Sequence, residues 1–117
     1  MSSFKWVEIG IGDTDVRHAI YCDPDGTNDG SKDDDGELQS ATISSVTSIT
    51  PDPAAGLAIN SKNLVATNIH GDSYLINTLI NVWMAATVAG NYKVEIIAVT
   101  SDGRTLNRDY SITVTDL

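Results

Sequence analysis

Cysteine occurs once in this chain, at Cys22, so no internal disulfide can form and a small disulfide-stapled module is excluded. Cations are scarce: 7 Lys and Arg stand against 16 Asp and Glu, for a net charge of -9. Such a surface repels phosphate backbones and anionic headgroups, so neither nucleic acid nor membrane is expected as a partner. Histidine appears only as His18 and His70, neither with a second ligand at zinc spacing, and one cysteine cannot complete a closed structural zinc site. Cys22 is followed by carboxylates that disfavour a thiolate, and it reads as an incidental thiol. Gly10-Ile11-Gly12 lacks the third glycine and the helix of a dinucleotide loop, and nothing resembles a nucleophile elbow. The start has no apolar run behind a basic end, and the longest apolar stretch, around Leu79 to Ala89, is too short to cross a bilayer. The expectation is a non-enzymatic protein with no catalytic residue and no cofactor, made in a cytoplasm.

Strand-forming residues are abundant. At 117 residues, 41% of them hydrophobic, the chain is long enough for one packed core. Three parts are visible: residues 1–22, a Gly- and Asp-rich stretch at 23–37, and 38–117, where Thr, Ser, Ile, Val and Ala crowd. In the last part short strands recur at regular spacing, at 41–49, 57–60, 64–68, 75–86, 90–100 and 106–114, which is the pattern of a β-sandwich. Pro51 and Pro53 remove ladder donors and are expected to separate the first strand from the second. The Leu75-Ile76, Leu79-Ile80, Val82-Trp83 spacing also admits an amphipathic helix, but Asn77, Thr78, Asn81 and the β-branched content favour a strand.

The end of the chain is the clearest part. Tyr92, Val94, Ile96 and Ala98 alternate with Lys93 and Glu95, and Tyr110, Ile112 and Val114 alternate with Asp109, Ser111 and Thr113. Asp102-Gly103 between them is a strong hairpin signal, because both residues tolerate positive φ. Ile97 and Val99 spoil strict alternation, which predicts cover on both faces, from a partner or from the N-terminal segment lying across the strand. Trp83 is expected in the core between the sheets.

The front segment scatters apolar residues: Ile9 alternates with Ile11, and Val16 with the group near Ile20, as in two short strands or an extended arm. Phe4, Trp6, Ile9 and Tyr21 are its candidate partner-binding residues; Trp6 is either tucked against its own domain or an anchor in a neighbour. Asp25, Thr27, Asp29, Gly30, Ser31 and Asp33 fall at positions 1, 3, 5, 6, 7 and 9 of an EF-hand-like loop. Position 12 is Gly36 instead of Glu, with Glu37 one residue late, and no helical pattern flanks the loop. A solvated loop is the preferred reading; Asp25, Asp29 and Asp33 are the ligands a hard cation would take.

The run Ala86-Thr87-Val88-Ala89-Gly90-Asn91-Tyr92-Lys93-Val94, then Val99-Thr100-Ser101-Asp102-Gly103-Arg104-Thr105, then Ser111-Ile112-Thr113-Val114 resembles a family of small tailed-bacteriophage virion proteins, the fiber-tail adaptors. Gln39-Ser40-Ala41-Thr42-Ile43 and Gly56-Leu57-Ala58-Ile59 are similar to the family's earlier strands, so the likeness spans roughly residues 38–117. It implies an all-β fold, an immunoglobulin-like β-sandwich, here with an extended N-terminal arm and an acidic loop. It also implies a structural virion component, made in the host cytoplasm and present in several symmetric copies, that docks fibers or neighbouring tail or neck subunits. Capsid decoration, or binding of carbohydrate on a host surface by exposed aromatics such as Tyr21 and Tyr74, are the alternative readings.

Overall fold

The structure, a computed structural model, describes residues 2–21, 38, 41–69 and 71–116. The acidic stretch with Asp25, Asp29 and Asp33, together with Cys22 and His70, lies outside the described residues. Ten strands form, and no helix is present among the described residues. They are β1 (Ser2–Lys5), β2 (Ile9–Gly10), β3 (Thr14–Ile20), β4 (Ile43–Asp52), β5 (Leu57–Asn63), β6 (Thr67–Ile69), β7 (Asp72–Tyr74), β8 (Leu79–Ala86), β9 (Gly90–Thr100) and β10 (Thr105–Thr115). One sheet runs β1-β10-β9-β4, with β2 continuing β1 along the same edge of β10; the other runs β3-β8-β5, and β6-β7 is a separate ribbon. The two larger sheets share a single core, in which Ile80, Val82 and Met84 of β8 are buried together with Val94, Ile96 and Ala98 of β9 and Ile112 and Val114 of β10. The strand spacing thus produces the expected all-β sandwich.

The terminal hairpin is the backbone of the larger sheet: β9 and β10 pair from Val99–Thr105 to Gly90–Val114. Its loop closes with Gly103 N–H on Thr100 O at 3.0 Å, and Gly103 takes φ +87°, a conformation that costs an L side chain energy. At the other end of β9, the Tyr92 hydroxyl donates to Val88 O at 2.7 Å, four residues upstream, which pins the turn from β8 into β9 as a tyrosine corner does. Gly56 packs against that corner; it has φ +97°, and a Cβ there would come 2.7 Å from Val88 Cβ. Only glycine fits both the conformation and the space.

Three expectations are corrected. β4 runs through Pro51 to Asp52 instead of stopping near Ile49, because β4 is an edge strand and Pro51 need not donate to a neighbour. The segment 75–78 is a turn, with β8 starting only at Leu79, because Asn77 adopts φ 65°. Trp83 lies half-buried on the outer face of β8, between Val16 of β3 and Ser61 of β5. The tryptophan in the core is Trp6.

Candidate docking surfaces

The front segment is an edge strand made in two pieces. Phe4 and Trp6 face inward at even positions, yet Ile9 is also buried, so the alternation must change phase between them. Lys5 pairs with Ser111 and Ile9 with Val114, so one extra residue is inserted on the N-terminal side. This bulge takes the Val7 and Glu8 carbonyls off the ladder. Arg17 of β3 recovers both, donating from Nε to Val7 O at 3.0 Å and from Nη2 to Glu8 O at 2.7 Å. Arg17 therefore ties the edge of one sheet to the other sheet. Asp15 holds its guanidinium at 2.9 Å, and that hydrogen bond, helped by the Val16 N–H, keeps the Asp15 carboxyl below its usual range.

Behind the edge sits an aromatic stack. Trp6 lies on Tyr110 with centroids 4.1 Å apart, and Phe4 covers the same ring at 5.2 Å. Trp6 Nε1 donates to His18 O at 3.0 Å, across to the second sheet. Arg108, fully buried on β10, places its guanidinium carbon 4.2 Å from the Phe4 ring centroid and 3.8 Å from that of Tyr21. Its Nη1 donates to Ile20 O at 2.7 Å and to the Tyr110 hydroxyl at 3.0 Å. A buried guanidinium between two rings gains about 2 kcal/mol or more from their quadrupoles, because water does not compete.

Of the candidate partner-binding residues, Phe4 and Tyr21 meet on the Arg108 guanidinium, while Trp6 stacks on Tyr110 and Ile9 pairs with Val114. Trp6, Ile9 and Tyr21 are buried in this chain's own core and Phe4 is half-buried against it. Of the two roles open to Trp6, the structure shows the tucked one. Because the segment enters the sheet beside β10, it does not lie across β9; Ile97 and Val99 stay half-buried on the outer face. Tyr21 and Tyr74, the loop aromatics that a carbohydrate-binding module would expose, are 0% and 4% exposed.

A second surface lies at the end of the sandwich where β3 leaves, β4 enters and the hairpin turns. Asn77 organises it: its N–H donates to Leu64 O at 2.9 Å, and its carbonyl accepts from Ile43 N–H at 2.8 Å. Ser101 N–H reaches Thr42 O at 2.7 Å, and Arg104 Nη2 reaches Leu38 O at 2.7 Å. Below this turn Asn81, 3% exposed, is a polar hub. Its Oδ1 meets His18 Nδ1 at 2.7 Å, and its amide donates to Asn63 Oδ1, Val65 O and Thr67 Oγ1 within 3.2 Å. Sequence reasoning missed Asn81 and Arg108. Arg108 had a signal, since it falls at an inward position between Leu106 and Tyr110.

In the hairpin turn the Asp102 carboxylate accepts from the Thr100 hydroxyl and from Arg104 Nε at 2.9 Å, and these bonds hold its pKa below the ordinary value. Asp15 and Asp102 are both lowered, so each stabilises the fold fully above the unfolded carboxyl pKa and loses that contribution as pH falls through the folded one. The melting temperature is therefore expected to fall from about pH 4 downward. Asp102→Asn should make that fall shallower, as read by circular dichroism; an unchanged acid limb would remove Asp102 from the account.

The outer face of the larger sheet carries a shallow groove of about 690 Å3 beside the row Lys5, Ser111, Lys93 and Asp52. Its charges are mixed: Lys5 and Lys93 flank Ser111, and Asp52 ends the row. Among the described residues no three His, Cys, Asp or Glu side chains gather as metal ligands.

Two sheets packed on one core, with strand edges left open among the described residues, make this chain a β-sandwich. Residues 23–113 match the family model described as podophage GP4 fiber-tail adaptor protein gp77, which covers most of the chain. The chain belongs to that family of phage virion structural proteins. No curated protein matches it.

Proposed function

We propose that this chain is an immunoglobulin-like adaptor that sits at the tail or neck of a podophage particle in several symmetric copies and joins fibers to neighbouring tail subunits. The family match carries this reading. The strand order β1/β2-β10-β9-β4 against β3-β8-β5, and the tyrosine corner at Tyr92, support the immunoglobulin-like assignment. The contact is β-edge docking: β1 pairs with β10 on one side, and its other side carries no strand among the described residues. In this reading Phe4, Trp6, Ile9 and Tyr21 serve the partner from behind, fixing the strand whose outer edge meets the neighbour.

Particles grown without the chain are expected to lack fibers under negative-stain microscopy and to gain them when purified protein is added. Fibers present without the chain, or gold-labelled antibody against it decorating the capsid instead of the tail, would overturn the reading.

A further inference from the structure

An adaptor needs a second contact, and three of the exposed large aliphatics occur together at the tip. Val65, Leu75 and Ile76 are 54%, 54% and 60% exposed. Asn77 N–H on Leu64 O and Asn81 Nδ2 on Val65 O bring their two connections side by side. They are not carried on a slack loop. Thr78 donates through its hydroxyl to Leu75 O at 2.7 Å, and Asn77 has its N–H and carbonyl bonded to two different connections. Asn77 is also the one non-glycine residue at positive φ among the described residues. The chain tolerates that conformation while presenting two apolar side chains to water; such local strain clusters where a surface is used.

Charge says what covers it. The chain leaves this end at Tyr21, whose N–H is bonded to Thr78 O, and re-enters at Leu38, whose carbonyl is held by Arg104. The sequence between them carries Asp23, Asp25, Asp29, Asp33, Asp34, Asp35 and Glu37 against Lys32 alone. Arg104, a cation at the described tip, is already matched by Asp102. A second copy of so acidic a chain is disfavoured at this end by like charge.

We infer that the tip formed by Val65, Leu75 and Ile76 is a docking surface for a different virion protein, one whose contact face has an apolar depression rimmed by Lys and Arg. The inference rests on the adaptor reading and names its second contact. The test is binding of the full chain, measured separately, to particles grown without it and to purified fibers. Leu75→Ser and Ile76→Asp are expected to weaken binding to one of these two partners at least about tenfold and to spare the other, with unchanged circular dichroism, while Val88→Asp at the opposite end binds both as wild type. Raising NaCl from about 0.05 to about 0.5 M should weaken wild-type binding, since the rim charges are screened. Tip variants that bind both partners within about twofold of wild type, or tip-dependent binding indifferent to salt, overturn the inference. A wild-type dimer in sedimentation velocity that Ile76→Asp returns to monomer would assign the tip to a second copy and also overturn it. Wild-type protein that fails to bind the particles overturns the adaptor reading itself.

Discussion

Arg108→Ala is expected to lower folding stability by about 3–5 kcal/mol in urea denaturation, a large share of the 5–15 kcal/mol typical of a domain. The change removes a fully buried side chain that lies against two rings and donates to both Ile20 O and Tyr110 Oη. It leaves a cavity, a buried hydroxyl short of a partner and a carbonyl short of a donor. Arg108→Lys keeps the charge but loses the flat group that fits between Phe4 and Tyr21, so it should recover no more than about half of the loss. A loss below about 1 kcal/mol for the alanine variant would show that the rings and carbonyls are held by other contacts. Phe4 belongs to the edge strand and Tyr21 stands where the chain departs toward its acidic stretch, so Arg108 couples these two regions through one side chain.

The second large effect is expected at Trp6. Trp6→Ala removes the stack on Tyr110 and the Nε1 bond to His18 O, which together fasten the edge strand to both sheets. The stack alone contributes about 0.5–1.5 kcal/mol beyond the area it buries, and truncating a buried tryptophan costs about 3–5 kcal/mol in all. That cost exceeds what β1 and β2 gain from a one-sided parallel ladder, so the strand should detach before the sandwich unfolds. Hydrogen exchange is expected to show lost protection at Trp6 and Ile11, whose N–H groups bond Ser111 O and Thr115 O, while amides of β8 and β9 keep theirs. Detachment uncovers Phe4 from Arg108, so the double variant with Arg108→Ala should be less destabilised than the two single costs added. If the amides of β8 and β9 exchange as fast as those of the edge, the N-terminal strand is integral to the core and cannot be released separately.

Stability and assembly separate along these lines. Variants at Arg108 and Trp6 act on the fold and reach the partner only through the edge strand. Variants at Leu75 and Ile76 touch solvent-facing side chains and should leave the fold alone.

The sandwich was legible because strand period and turn chemistry are local. Tyr92 to Ala98 and Tyr110 to Val114 bury alternate residues as their pattern requires, and Asp102-Gly103 turns the chain between them. Three features were not legible, each for a stated reason. The phase of the front strand depends on a bulge whose freed carbonyls are met by the distant Arg17. Trp83 was expected inside because sandwiches often carry an aromatic between their sheets, yet β8 alternates and its inward positions are taken by Val82 and Met84. Asn77 looked like part of a strand, since positive φ at a non-glycine residue has no reliable mark in sequence.

By itself, then, the sequence determined the layers, the terminal hairpin and the likeness to the adaptor family, all of which follow from residue type and near-neighbour spacing. Tertiary structure alone decided that the front aromatics face inward and that Arg108 is buried among them. It also decided that Val65, Leu75 and Ile76 share one exposed tip. Those outcomes depend on partners dozens of residues away, and a polar or apolar side chain does not carry in its own neighbourhood which of two surfaces will reach it first.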